Sequence, residues 1–143
     1  MPIVFFTFHG NLKIFNNYML KTILISSAVL ITLDALFLNV MAKPLQSNVF
    51  QVQGSPLKLN FVAVMACYVF LIFGLNYFIL KPERTVLDAF WLGIVINGVY
   101  ETTTMASFKK WKLRNAVIDI LWGGVLFSLT TYLTRTISTR FIR

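Results

Sequence analysis

Leu59 to Leu80 reads LNFVAVMACYVFLIFGLNYFIL, twenty-two residues without a single charge. A helix of about 20 apolar residues matches the hydrocarbon thickness of a bilayer, so this stretch is expected to cross one. Working outward, three more stretches have the required length. Thr22 to Met41, TILISSAVLITLDALFLNVM, holds Asp34 as its one charge. Thr85 to Phe108, TVLDAFWLGIVINGVYETTTMASF, carries Asp88, Asn97 and Glu101, and Asn115 to Thr136, NAVIDILWGGVLFSLTTYLTRT, carries Asp119 and Arg135. Their apolar residues do not alternate, which argues against a transmembrane β-barrel. The expected fold is all-α, a polytopic membrane four-helix bundle over residues 22–136. It is preceded by an N-terminal extension (1–21) that could lie in the headgroup region and followed by a basic C-terminal tail (137–143).

Composition agrees. Of the 143 residues 57% are hydrophobic and 13% charged, with a mean hydropathy of +0.74. Soluble domains are about half apolar and a quarter charged, so a soluble globular domain is excluded. The formal charge of +8, from 13 Lys and Arg against 5 Asp and Glu, would suggest nucleic acid in a soluble chain. In a membrane protein it suggests a basic collar that meets anionic headgroups. No nucleic-acid partner is expected.

The connections constrain topology. Lys81-Pro82-Glu83-Arg84 is tight enough to force the second and third spans antiparallel and adjacent, with Pro82 suited to a helix start, and Lys109 to Arg114 (KKWKLR) is equally short. Ala42 to Lys58, with Pro44, Gly54 and Pro56, reads as an extramembrane loop. The apolar run of the first span is too long for a cleaved signal peptide and contains an acid. Met19 opens a sequence that looks like a chain start, which makes residues 1–18 an extension or a start-codon choice. Basic loop residues divide seven against six between the two faces and fix no orientation; both termini are taken as cytoplasmic on the commoner insertion of even-span proteins.

Single chemistry-bearing residues are few. His9 is the only histidine and Cys67 the only cysteine, so metal ligation and an intrachain disulfide are not expected, and Cys67 reads as a packing residue. No nucleophile–base pair and no nucleotide-binding loop is present. Neither an enzyme nor a cofactor is expected.

What does stand out is the placement of acids: Asp34, Asp88, Glu101 and Asp119 all fall inside expected spans, leaving only Glu83 in a loop. A charge inside a span costs about 2.5–3.5 kcal/mol even on the lenient insertion scale, so such groups face the bundle interior or an aqueous cavity. Counted from the span ends at ~1.5 Å per residue, Asp34 and Glu101 lie ~10 Å and Asp119 ~6 Å below one face, which converges three carboxyls on one leaflet. Asp88 lies at the opposite face, where pairing with Arg84 at i,i+4 is expected. Gly93, Asn97, Glu101 and Thr104 form one stripe on the third helix, Asp119, Gly123 and Thr130 one on the fourth, and Ser27 shares a face with Asp34 on the first. The second helix reads as scaffold.

Three readings of the acid layer stand side by side: carboxyls that clip helices together, a proton or cation site, and a pocket with Tyr100 and Trp122 as aromatic walls. The Thr102–Thr104 run reads as intrahelical bonding. Trp91, Trp111 and Tyr132 read as interfacial anchors.

Three blocks, LDALFL (33–38), GVYETTTMASFKKW (98–111) and VIDILWGGVL (117–126), resemble the DUF2177 family of small membrane proteins, met in bacteria and in large DNA viruses. The resemblance runs from about Met19 onward. It implies a four-span fold and a shared polar layer at Asp34, Glu101, Thr103, Trp111, Asp119, Trp122 and Gly123, and no activity. The chain departs from the family pattern at Phe37 (usually Trp), Glu101 (Asp), Thr104 (Asn) and Lys112 (Pro). The leading expectation is a structural or assembly component of a cell membrane or a virion inner membrane, with neighbouring structural proteins or further copies of itself as partners. The alternative is a small proton- or cation-coupled transporter or channel subunit using Asp34, Asn97, Glu101, Thr103 and Asp119.

Overall fold

The computed structural model describes the backbone of residues 3–141 and the side chains of 16–140. The side chains of Phe5, Phe6, Phe8, His9 and Arg143 therefore lie outside the described residues. Four long helices and no strand are found among those described: α1 (Ile3–Gln53), α2 (Phe61–Leu75, continued by a π-helical turn Asn76–Leu80), α3 (Val86–Ser107) and α4 (Leu113–Phe141). The all-α expectation holds.

Helix α1 departs most from the sequence reading. It runs 51 residues without interruption, so 42–53 is helix rather than loop, and the stretch before Thr22 is part of the same helix. At ~1.5 Å per residue it is about 75 Å long, more than twice the hydrocarbon thickness. Pro44 lies inside it. Proline removes one backbone donor and is costly in a helix interior, but Leu45 to Gln53 carry no further breaker. Gly54, at φ +70°, ends the helix by donating its N–H to the Phe50 carbonyl at 2.9 Å, and Gln53 folds its amide back onto the carbonyls of Ser55 and Pro56. The true loop is what remains, residues 54–60.

Helix α2 starts at Asn60, whose side chain accepts the Ala63 N–H. Thr85 caps α3. The Asp88 carboxyl, expected to pair with Arg84, instead closes a capping box, accepting from the N–H and hydroxyl of Thr85 while the Thr85 hydroxyl accepts the Asp88 N–H. Pro82 lies in the turn before α3 rather than at its first residue.

Three helical stretches are long and apolar enough to cross a membrane: Asn16–Gln53, Phe61–Leu80 and Leu113–Arg140. Helix α3 is not among them, because Asp88, Asn97, Glu101 and three consecutive threonines dilute its apolar content. It is also the helix packed most intimately on a neighbour. A β-carbon on Gly93 would stand 2.0 Å from the Gly123 carbonyl oxygen, and one on Gly123 would stand 2.8 Å from the Gly93 carbonyl oxygen. Glycine on both sides is what lets the α3 and α4 backbones touch. The buried apolar cluster, Leu30, Leu75, Ile79, Leu80, Ala89, Leu126 and Phe127, gathers all four helices on one side of that crossing. Outer faces are apolar and exposed, Val40 to 79% and Val62 to 76%.

Candidate functional site

On the other side of the crossing, α1, α3 and α4 bring the acids together. Asp34, on α1, accepts hydrogen bonds on both carboxyl oxygens: the Tyr68 hydroxyl of α2 donates to Oδ2 at 2.8 Å and the Trp122 indole of α4 donates to Oδ1 at 3.0 Å. Phe37, one turn along α1, stacks on Trp122 with centroids 4.3 Å apart, which fixes the indole for that donation. One carboxylate thus ties three helices.

Asp119, about one turn from Trp122 on α4, is met by Asn97 of α3. The Asn97 amide donates to the Asp119 carbonyl at 2.9 Å and reaches its Oδ2 at 3.5 Å. This amide occupies the space a side chain at 123 would need, since a β-carbon on Gly123 would stand 2.5 Å from the Asn97 Cγ. Gly123 therefore does two jobs, admitting the Gly93 backbone and seating the Asn97 amide.

Glu101 lies one turn beyond Asn97 and is 3% exposed. It accepts the Trp111 indole N–H at 2.6 Å, so the Trp expected to anchor at the interface is turned inward by a buried carboxylate. Glu101 and Asp119 are neighbours across the α3–α4 pair. Both line a cavity of about 170 Å³ with Phe37, Tyr100, Trp111 and Asn115.

The acids are thus not one layer but three steps. Along the axis, Asp119 stands about 4.5 Å from the level of Asp34, and Glu101 a further ~6 Å towards the KKWKLR link. The depths expected from the sequence, ~10 Å for Asp34 and Glu101 and ~6 Å for Asp119, assumed that α1 ended at Met41. Since α1 continues, Asp34 is the deepest of the three.

Of the other residues singled out, Tyr100 lines the cavity, whereas Trp122 is not part of its lining and instead donates to Asp34. Thr103 does not join the group; its hydroxyl donates to the Val99 carbonyl at 2.7 Å on an exposed face. Ser27 likewise bonds within its own helix, and it is Ser26 that is buried and accepts the Asn76 amide of α2 at 2.9 Å. Cys67 is exposed rather than packed. Trp91 and Tyr132 are exposed, as anchors would be.

Three participants carry no weight in the sequence reading, which takes the second helix, Asn76 included, as scaffold. Tyr68 sits in a helix with no charge to draw notice, and only its depth, matching Asp34, could have pointed to it. Asn76 stands where α2 widens into the π turn, a deviation common at functional positions. Asn48 lies in the stretch read as loop; it is fully buried and accepts the Lys112 N–H at 3.2 Å, docking the end of α1 on the α3–α4 link.

Among the described residues no group of three or more His, Cys, Asp or Glu could hold a metal ion. Fold and interior together define a helical, multi-pass membrane protein with an acid-bearing polar core. Its residues 19–136 match the family model described as predicted membrane protein, DUF2177, and the chain belongs to that family. Comparisons with curated proteins and with solved structures give no match.

Proposed function

We propose that the protein is a structural or assembly component of a membrane, crossed by all four helices, in which buried carboxyls lock the bundle together. The observation that carries this reading is Asp34, both of whose oxygens are occupied by donors from other helices. Such a group holds helices where no hydrophobic drive between them exists, because lipid tails are as apolar as the side chains they face. The exposed apolar flanks of α2 and α4 suit contact with lipid or with neighbouring membrane helices, and the Lys and Arg at both ends suit anionic headgroups. The same reading serves a cell membrane and the inner membrane of a virion.

Deleting the chain in its native setting, and counting malformed membranes by electron microscopy, tests it. Malformed membranes, rescued by Asp34→Asn, which retains an acceptor, more fully than by Asp34→Ala, are expected. Normal membranes in the deletion would overturn it.

One observation favours a second reading, a small proton- or cation-coupled transporter or channel subunit. The Glu101–Asp119 cavity lies beside the link at one end of the bundle, and an open carboxyl pair is more than a clamp requires. Flux in proteoliposomes that disappears in Asp119→Asn supports this reading.

A further inference from the structure

The half of the bundle away from the acids contains a second buried polar series. The antiparallel register set by Asp34 with Trp122 and by Pro44 with Asn115 brings Ser26 to the level of Thr130. Beyond Thr130, Thr134 and Ser138 follow at successive turns of α4. They are 0%, 1% and 4% exposed, and among the described residues none of their three hydroxyls has a hydrogen-bond partner. Thr131 next to them bonds its own helix through the Phe127 carbonyl, so the available intrahelical acceptor is used at one position and left unused at the other three. Buried hydroxyls are almost always satisfied, and in a polar site the usual partner is water.

Leu30, Leu126 and Phe127, all buried, separate this series from Asp34 over about 12 Å of helix axis, the eight residues from Ser26 to Asp34. At its far end the Arg135 guanidinium donates to the Arg84 carbonyl across the α2–α3 turn. The molecule thus holds a carboxyl ladder opening at one end, a hydroxyl series at the other, and an apolar plug between them.

We propose that these two series are the halves of a proton path through the bundle, with water completing the hydroxyl half. This rests on the transporter reading and names its species. A proton taken up at the cavity by Glu101 passes to Asp119 as one O–H bond breaks and another forms, and then to Asp34. The Tyr68 hydroxyl is both donor and acceptor, so it can reverse its hydrogen bond when Asp34 Oδ2 takes the proton, while Trp122 keeps donating to Oδ1. The clamp persists in both states. Past the plug, each water or hydroxyl releases one proton as it accepts another, so no oxidant or other reactant is consumed. The plug sets the rate, and Leu75 and Ile79 of α2 belong to the same apolar cluster, so movement of the helix that Tyr68 holds would open it.

The full chain, reconstituted in vesicles with an internal pH dye and a potassium-valinomycin potential, tests this. Proton entry above that of protein-free vesicles is expected. It should be lost in Asp119→Asn, reduced in Thr134→Val and raised in Leu126→Ala, with circular dichroism and a monodisperse detergent peak reporting the fold. Thr134→Val preserves shape and removes an unsatisfied hydroxyl, so its loss of flux cannot be ascribed to unfolding. Proton entry insensitive to both Asp119→Asn and Thr134→Val overturns the path. Radiolabelled sodium or potassium flux that needs Asp119, without proton entry, overturns the proton path and leaves a cation transporter. No flux of any of the three overturns path and transporter reading together.

Discussion

Helix α3 packs antiparallel on α4, while α2, expected beside α3, packs antiparallel on α1, and the two are held by opposite means. Helix α3 lies backbone to backbone on α4 through Gly93 and Gly123, with the Asn97 amide inserted beside the crossing. Helix α2 has few close neighbours. Apart from the apolar contacts of its last turns, it is tied by the Tyr68 hydroxyl to Asp34 and by the Asn76 amide to Ser26. The difference teaches where a membrane bundle can be rigid and where it can move. Close packing fails abruptly when a single methyl is added, whereas a hydrogen-bonded tie gives way in small steps, each worth about 0.6 kcal/mol on average between membrane helices.

The comparison can be broken at its strong side first. Gly93→Val should cost about 3 kcal/mol or prevent folding, because its β-carbon meets the Gly123 carbonyl, which belongs to a backbone that cannot turn aside. Denaturant titration of the detergent-solubilised protein reads this, and a loss below that of Asp34→Ala would show that α3 and α4 are not the rigid pair.

Next comes the weak side. Asp34→Ala leaves two donors without an acceptor and should cost about 1–2 kcal/mol, while Tyr68→Phe should cost about 0.6 kcal/mol. Both should speed hydrogen exchange in α2 more than in α3. Equal acceleration in the two helices would mean that α2 is not held separately.

The smallest effect is expected at Thr103, whose hydroxyl serves only its own helix. Thr103→Val should change stability by less than about 0.5 kcal/mol and leave the Trp111 fluorescence unaltered. A shift in that emission would restore Thr103 to the polar core from which its geometry removes it.

The sequence alone settled that the chain is a helical membrane protein, because about 20 uncharged apolar residues in a row admit few other outcomes and depend on no neighbour. It also marked Asp34, Glu101 and Asp119, since acids in apolar stretches are costly wherever they end up. The stripe Gly93, Asn97, Glu101 on α3 was legible for the same local reason, helical spacing. Tertiary structure alone decided the rest. That α1 runs past Pro44 depends on its docking against the α3–α4 link through Asn48, a contact 64 residues apart in the chain. That Tyr68 and Trp122 grip Asp34, that Trp111 turns inward, and that Thr103 and Ser27 turn away all depend on helix rotation about the axis. Rotation and relative height follow from which surfaces pack, and the residues that decide them are far apart in the sequence.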